Sequence, residues 1–193
     1  MHKKRITQHL LPFIELLNSK DSPYFYFAGG CLRDILLGRR INDYDIFTTS
    51  EDDANKLMDI LLSLGFQQLY KTKHSTKFSF LNSMVEVSTE FFVEPDKLFE
   101  FYDFTINCIA LDNHYRLLYH KTSLEHLSDL SLVRINTGPP LLELRYVKFL
   151  SDGFYGDFTP IEKIEDLEII TEEIDKEKYP SLNVGLFSQR CLK

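Results

Sequence analysis

The 193-residue sequence lacks the cysteine pattern of a disulfide-bonded or zinc-binding domain. Its three cysteines are scattered, and no pair of them has CxxC spacing. An odd and dispersed set of thiols is typical of a reduced, cytosolic chain. We therefore expect a cytoplasmic protein with neither a disulfide framework nor a zinc site at Cys31, Cys108 or Cys191.

Long apolar runs and internal repeats are missing as well. No apolar run reaches the roughly 18 residues of a membrane-spanning helix, so we expect no membrane partner. The N-terminal segment begins basic and turns apolar, but Gln8, Pro12 and Glu15 interrupt the apolar stretch, which is not typical of a signal peptide. The spacing of its apolar residues predicts an amphipathic helix over residues 4–18 instead.

An excess of positive charge is the third absence. The chain has 22 basic and 29 acidic residues and a net charge of -7, which argues against a protein that coats nucleic acid through bulk charge. Residues 1–40 nevertheless hold seven Lys or Arg against three acids. Hydrophobic residues make up 44% and charged residues 26% of the chain, a composition that predicts a folded core.

What is present is an alternation of helical and strand patterns. We expect helices over 4–18, 31–38, 51–65 and 95–102, strands over 24–28, 43–49, 66–70, 77–81 and 85–92, and a hairpin over 106–119. From Pro139 onward helical spacing dominates, over 141–150 and about 162–175. The pattern predicts a mixed α/β fold, in which a sheet with flanking helices is followed by a helical appendage.

The first candidate motif is a strand, the pair Gly29-Gly30, and a helix. Glycines allow the backbone to approach a phosphate closely, and the free N–H groups at a helix start point toward it. Arg33, one turn into the helix, would add a charge-assisted contact. The alternative interpretation is a tight strand-to-helix turn with a surface arginine.

The second candidate motif is Asp43-Tyr44-Asp45 on a predicted strand, which places both carboxylates on one face of the sheet. Two carboxylates this close repel each other unless a cation neutralises them, and oxygen ligands suit Mg²⁺. We expect a third carboxylate from a neighbouring strand, with Glu86 as the candidate and Glu90 as the fallback. An acid on the solvated face of a strand is the alternative interpretation of Glu86.

Two blocks of the sequence resemble those of a known family. The segment AGGCLRDILLGRRINDYDIFT has the two glycines, an Arg-Asp pair, Leu-Leu-Gly and the two aspartates at the spacing of the class II tRNA nucleotidyltransferase and poly(A) polymerase family, within the DNA polymerase β-like superfamily. Asp103-Phe104-Thr105-Ile106-Asn107 resembles the second block of the same family. The resemblance covers roughly residues 20–150.

The resemblance implies a nucleotidyltransferase head with a mixed, mostly antiparallel sheet over residues 1–120, and a helical neck-like region over 121–193. It implies transfer of a nucleoside monophosphate from an NTP, ATP or CTP, to an RNA 3′ end such as that of tRNA, with two Mg²⁺ ions or Mn²⁺ in their place. Asp43 and Asp45 would hold the ions, and Glu86 would orient or deprotonate the attacking hydroxyl. The implied nucleotide contacts are Gly29, Gly30 and Arg33 with the triphosphate, and Asp103 and Asn107 with the ribose or its surroundings.

The sequence departs from this family at several places, among them Tyr119-His120 in place of an Asp-Pro element and Lys148 in place of an arginine. Phe101-Tyr102 stand where the family has paired arginines, and residues 138–142 stand where it has a base-reading Glu-Asp-x-x-Arg motif. Arg145, on the following helix, either approaches the nucleotide or lies on the helix surface. We therefore expect altered or relaxed base selection. The alternatives are transfer to a protein or small-molecule hydroxyl, and an inactive nucleotide- or RNA-binding regulatory module on the same fold.

Overall fold

The structure is a computed structural model that describes residues 2–18, 21–81, 83–135, 142–156 and 168–175. Its helices are α1 (His2–Leu17), α2 (Gly30–Leu37), α3 (Glu51–Ser63), α4 (Pro95–Leu98), α5 (Ser123–Ser128) and α6 (Leu142–Ser151). Its strands are β1 (Tyr26–Ala28), β2 (Asp43–Thr48), β3 (Gln67–Lys71), β4 (Ser75–Phe80), β5 (Ser83–Phe92), β6 (Ile109–Asp112), β7 (Arg116–His120) and β8 (Ile169–Glu173). Two 3₁₀ turns, Phe99–Phe101 and Thr105–Asn107, precede β6.

These strands form one eight-stranded sheet in the order β3-β4-β5-β2-β1-β6-β7-β8. The pair β2–β5 is parallel, and the other neighbouring strands are antiparallel. The expected α/β (mixed) fold with a mostly antiparallel sheet is therefore confirmed. Parallel pairing of β2 with β5 requires a long crossover, which α3, β3 and β4 supply.

Strand alternation gives the two faces of the sheet different cover. Phe27 and Ile46 point toward α1, α2 and α3, whose apolar residues complete the larger core. The amphipathic α1 contributes the fully buried Ile6, Leu10 and Ile14 to it. The opposite face has a smaller cluster, formed by Tyr26, Ala28, Leu98, Phe99, Cys108 and Ala110. Because this face has less helical cover, Asp43 and Asp45 of β2 are only half-buried there.

The helix expected over 162–175 is wrong where the structure describes that range. Residues 169–173 form β8, which pairs antiparallel with β7 from Arg116↔Glu173 to His120↔Ile169. The β-branched run Ile169-Ile170-Thr171 favours a strand, and the otherwise unpaired edge of β7 supplies its partner. Residues 162–167 lie outside the described part of the chain. The strand falls within the expected neck-like region over 121–193, and the division at residue 120 stays a prediction.

The other expected elements agree with the structure to within a few residues. Ser50 caps α3 as its pattern indicates, because its side chain accepts a hydrogen bond from the Asp53 N–H. Cys31 and Cys108 are free, buried thiols, and Cys191 lies outside the described residues. None of the helices in the described part of the chain has the length and apolar character that crossing a bilayer requires.

Candidate active site

A cleft of about 360 Å³ opens beside the C-terminal end of β1 and the N-terminal end of β2. Helices α2 and α6 form its other walls. It contains both candidate motifs of the sequence. Its lining residues are Gly29, Gly30, Cys31, Arg33, Asp34, Asn42, Asp43, Asp45, Phe47, Tyr102, Asn107, Arg145, Lys148 and Phe149. Seven of the nine expected site residues are among them, and Glu86 and Asp103 lie next to the cleft without lining it.

The turn from β1 into α2 depends on Gly29. Its backbone has φ 75° and ψ -127°, a conformation that favours glycine. A Cβ at this position would lie 2.8 Å from the hydroxyl oxygen of Tyr102, so a side chain there would collide with the cleft wall. The turn therefore brings backbone into the cleft without side chains, as a phosphate-binding turn requires.

Arg33 is a buried residue and not the surface arginine of the alternative interpretation. Its guanidinium donates two hydrogen bonds to the Asp34 carboxylate, at 2.9 and 3.1 Å, and one to Asn107 Oδ1 at 2.9 Å. The guanidinium carbon also lies 5.1 Å from the centre of the Phe149 ring. Asp34 is thus the structural partner of a basic group, and Arg33 is positioned in the cleft by three neighbours.

Asp43 and Asp45 lie on the cleft side of β2. Tyr44 points to the opposite side, where it packs edge-on against Phe13 and Phe27. Strand alternation therefore places the two carboxylates on one face, as the sequence predicts.

Burial raises the pKa of Asp45 to about 7, and the negative charges of Glu86 and Asp43 act in the same direction. Lys77 and Arg33 oppose the shift without cancelling it. In the described part of the chain, Asp45 makes no ion pair within 4.0 Å. A carboxylate in this position is stabilised by a further cation.

Glu86 is the direct β5 neighbour of Asp45 in the parallel pairing. Its carboxylate accepts a hydrogen bond of 2.6 Å from the Ser75 hydroxyl and lies 3.7 Å from the Lys77 ammonium. The fallback candidate Glu90 is exposed and contacts His74 at the far end of β5. The register therefore favours Glu86 over Glu90 as the third acid.

Asp103 lies at the back of the cleft, where it is almost completely buried. One carboxylate oxygen accepts hydrogen bonds from Asn107 Nδ2 at 3.1 Å and from the Phe104 N–H at 3.0 Å. The other oxygen lies 2.6 Å from Nε of Arg145. Asp103 thus positions Asn107 and Arg145, which face the cleft, and does not face it itself.

Sequence reasoning missed three contributors to this site. Lys77, on β4, reaches the carboxylates from a strand that the motif does not include. Tyr102 closes the cleft over Gly29, and Phe149 packs on Arg33. The signal for Lys77 was the alternation of β4, which places Ser75, Lys77 and Ser79 on one face, opposite Thr76 and Phe78. The segment 138–142, where we expect the family's base-reading side chains to be missing, lies outside the described residues except for Leu142.

The cleft offers oxygen ligands but no closed metal cage. Within the described ranges, no group of three or more His, Cys, Asp or Glu side chains converges on one point. Mg²⁺ is commonly held by one or two carboxylates together with water and substrate phosphates. The same-face pair Asp43 and Asp45 fits such an ion, since Asp45 is half-buried and has no ion-pair partner among the described residues.

Comparisons with known proteins agree with this geometry. The model of the Gabija anti-defense 2 family matches residues 2–130. A CCA-adding enzyme of Bacillus pumilus is 28% identical over 213 aligned positions, which cover 96% of this chain and 52% of that enzyme. A CCA-adding enzyme of Staphylococcus epidermidis is 29% identical over 109 positions, covering 48% of this chain and 26% of that enzyme. The chain spans about half the length of the first of these relatives.

Solved structures show the same fold. The Thermotoga maritima CCA-adding enzyme complexed with tRNA superposes with a TM-score of 0.64 at 19% identity, covering 81% of this chain and 42% of that chain. The Bacillus stearothermophilus CCA-adding enzyme in complex with CTP gives a TM-score of 0.57 at 24% identity, covering 80% of this chain and 41% of that chain. The relatives and structural neighbours are thus class II tRNA nucleotidyltransferases, as the two sequence blocks predict.

Proposed function

The chain belongs to the Gabija anti-defense 2 family, and from the cleft at the ends of β1 and β2 we propose that it is a metal-dependent nucleotidyltransferase. It would transfer a nucleoside monophosphate from an NTP to a hydroxyl acceptor and release pyrophosphate. One observation carries the proposal: the same-face carboxylates Asp43 and Asp45 share a cleft with the Gly29 turn and with Arg33.

Asp43 and Asp45 are the residues that would hold Mg²⁺, or Mn²⁺ in its place. Such an ion neutralises the charge of a triphosphate and of the reacting oxygens. The half-buried position of Asp45 beside Glu86 and Asp43 supports this assignment, because a carboxylate near like charges is costly without a partner cation. The family resemblance implies two ions. The number of ions that this site holds depends on Lys77, whose ammonium lies beside Asp43.

The cationic wall of the cleft would bind the triphosphate. Gly30 and Cys31, at the start of α2, line it with backbone N–H groups that have no acceptor within the helix, and Arg33, Arg145 and Lys148 contribute positive charge. Because Arg33 is already held by Asp34 and Asn107, its guanidinium needs little reorganisation when a phosphate arrives. Lys148 supplies positive charge on the α6 side of the cleft. Phe101-Tyr102, which stand in place of the family's paired arginines, supply none.

Asn107 is the residue that we expect at the ribose, since its side chain lines the cleft. Asp103 would act behind it by fixing the Asn107 amide and the Arg145 guanidinium. Glu86 would orient or deprotonate the attacking hydroxyl from the β5 side. Ser75 and Lys77 hold the Glu86 carboxylate in this position.

An RNA 3′ end, such as that of tRNA, is the acceptor we propose first, with ATP or CTP as donor. The relatives are CCA-adding enzymes, and solved neighbours are complexes with tRNA or with CTP. We also propose altered or relaxed base selection, because residues 138–142 lack the acidic and arginine side chains of the family's base-reading motif.

A second candidate is transfer to a protein or small-molecule hydroxyl. The description of the matching family names anti-defense and not tRNA maturation. This observation favours an acceptor other than tRNA.

The test is incorporation of label from each of the four α-³²P-labelled NTPs, with Mg²⁺ or Mn²⁺. Total tRNA, purified protein and bacterial lysate serve as acceptors in separate reactions. We expect incorporation that Asp43→Asn and Asp45→Asn abolish and that Asp59→Asn, an exposed acid on α3, leaves intact. Label in RNA supports the first acceptor and label in protein the second.

Absence of incorporation from all four NTPs into every acceptor would overturn the enzymatic proposal. In that case NTP-dependent thermal stabilisation without turnover would identify an inactive nucleotide-binding module on this fold.

A further inference from the structure

A lysine lies among the carboxylates of the proposed metal site. The Lys77 ammonium is 2.8 Å from Asp43 Oδ2 and 3.7 Å from Glu86 Oε2. Its side chain is 16% exposed, less than those of the two acids it joins. Lys77 therefore occupies the space between β2 and β5 where a cation would touch both carboxylates.

The sheet register fixes this position. Lys77 of β4 is the antiparallel partner of Glu86, and Glu86 of β5 is the parallel partner of Asp45. Neighbouring strands are about 4.8 Å apart, so the three residues form a row across the same face of the sheet. The lysine is thus part of the strand framework and not the end of a mobile loop.

The contacts of Lys77 differ from those of an ordinary surface ion pair. It donates a hydrogen bond to Asp43 and also approaches Glu86, which the Ser75 hydroxyl holds on its other oxygen. Exposed pairs such as Lys97–Glu100, with side chains 62% and 45% exposed, are free to separate into water. Lys77 instead neutralises two acids that would otherwise repel each other beside Asp45.

A divalent ion would compete with this lysine. Mg²⁺ binds carboxylate oxygens at about 2.1 Å. An ion on Asp43 Oδ2 would therefore lie within about 5 Å of the ammonium, where like charges repel strongly at low dielectric. The hydrogen bond from Lys77 engages only Oδ2 of Asp43, and the Asp45 carboxylate forms no ion pair with Lys77 within 4.0 Å among the described residues.

We propose that Lys77 takes the place of one of the two ions that the family resemblance implies, so that this site binds a single divalent ion. The inference rests on the proposed function, since it assigns that ion to Asp45 and to Oδ1 of Asp43, the oxygen that does not accept the Lys77 hydrogen bond. Lys77 would supply the fixed positive charge beside Glu86, where the attacking hydroxyl is oriented.

The test counts ions directly. Purified protein with a saturating, non-hydrolysable NTP analogue is titrated with Mn²⁺, and free Mn²⁺ is measured by electron paramagnetic resonance, with nucleotide alone as the blank. We expect one ion per ternary complex for the wild type and for Lys77→Arg, and two for Lys77→Met, which keeps the length of the side chain but removes its charge. Lys71→Met, on the exposed β3, is the matched control and should keep one ion.

Two ions on the wild type, or one ion on a folded Lys77→Met protein, would overturn the inference. The wild-type count decides the matter even if Lys77→Met fails to fold. An Asp45→Asn variant that binds Mn²⁺ as the wild type does would instead remove the proposed metal pair, and the proposed function with it. The two failures are thus distinguishable.

Discussion

On the open β2 side of the cleft, Asp45 has no ion-pair partner among the described residues and Asp43 is paired with Lys77 through one oxygen, whereas on the α6 side several donors enclose the Asp103 carboxylate. Asp103 meets Asn107, the Phe104 N–H and Arg145. Asp45 instead lies near the negative charges of Glu86 and Asp43 and forms no ion pair among the described residues.

The contrast separates two uses of an acidic side chain. A carboxylate that accepts hydrogen bonds and is paired with a guanidinium stabilises the conformation around it, because its charge is compensated within the fold. A carboxylate crowded by like charges costs free energy until a cation arrives. The β2 side is therefore built for an ion, and the α6 side for holding a nucleotide-binding surface in place.

The largest expected effect concerns the open side. Asp45→Asn should reduce nucleotide transfer by roughly 10³-fold, because the neutral amide no longer holds the ion that stabilises the reacting oxygens. The melting temperature of the metal-free protein should not fall, since an amide does not require a partner cation. Steady-state kinetics and calorimetry measure the two quantities.

A drop in stability together with activity would contradict the distinction between the two sides. It would mean that Asp45, like Asp103, stabilises the fold through contacts of its own.

The enclosed side should respond to Asp103→Ala with a loss of unfolding free energy of about 3 kcal/mol. The substitution leaves the Phe104 N–H and the Asn107 amide without their acceptor and removes the partner of Arg145. Urea denaturation measures the change, and Asp45→Ala serves as the matched loss of an acid from the open side, since Asp45 has no ion-pair partner among the described residues. Equal destabilisation by the two substitutions would abolish the comparison.

The glycine turn between the two sides gives a smaller effect. Gly29→Ala combines a left-handed φ with a Cβ 2.8 Å from the Tyr102 hydroxyl, whereas Gly153→Ala has a φ of 88° with no atom within 4 Å. We expect a loss of about 1 kcal/mol for Gly153→Ala and about 2 to 3 kcal/mol for Gly29→Ala. NTP affinity should fall for Gly29→Ala alone.

Adding Tyr102→Phe should recover part of the Gly29→Ala loss, since it removes the nearest atom but leaves the ring carbon at 3.2 Å. No recovery would mean that backbone strain, and not the contact with Tyr102, dominates.

Those parts of the site that lie close together in sequence could be predicted from it. The Gly29-Gly30 turn and the Asp43/Asp45 pair follow from local patterns of strand, glycine and helix. Lys77 could not be placed in the same way, because its approach to Asp43 depends on the register of β4, β5 and β2 together. The Asp103–Arg145 pair likewise joins positions 42 apart in the chain.

The fold shows the same limit. The mixed, mostly antiparallel sheet was predictable from the alternation of short strands and helices. The strand β8 was not, since its apolar and acidic residues also fit helical spacing. The unpaired edge of β7 favours a strand over a helix, because it supplies backbone partners for β8. The Tyr119 hydroxyl on β7 also donates a hydrogen bond to the Glu172 carboxylate on β8.

The smallest expected effect is a pH dependence of protein stability that arises on the enclosed side of the cleft. The turn Thr105–Asn107 rests on α5, where Thr105 Oγ1 forms a hydrogen bond of 2.7 Å with Nδ1 of His126. Burial lowers the pKa of His126, although Glu125 and Asp129 oppose the shift, and burial lowers that of His120 as well. As pH falls below about 6.5, the unfolded chain therefore binds protons before the folded one.

The contribution of these histidines to the free energy of unfolding should thus be constant above about pH 6.5 and decrease below it. His126→Gln should reduce the decrease in melting temperature between pH 7.5 and pH 5.5 by a few degrees, as measured by calorimetry of the metal-free protein. The exposed His9→Gln is the control and should leave the profile unchanged. A wild-type melting temperature that rises toward pH 5.5, or that His126→Gln does not alter, would show that the α5 support does not titrate with this histidine.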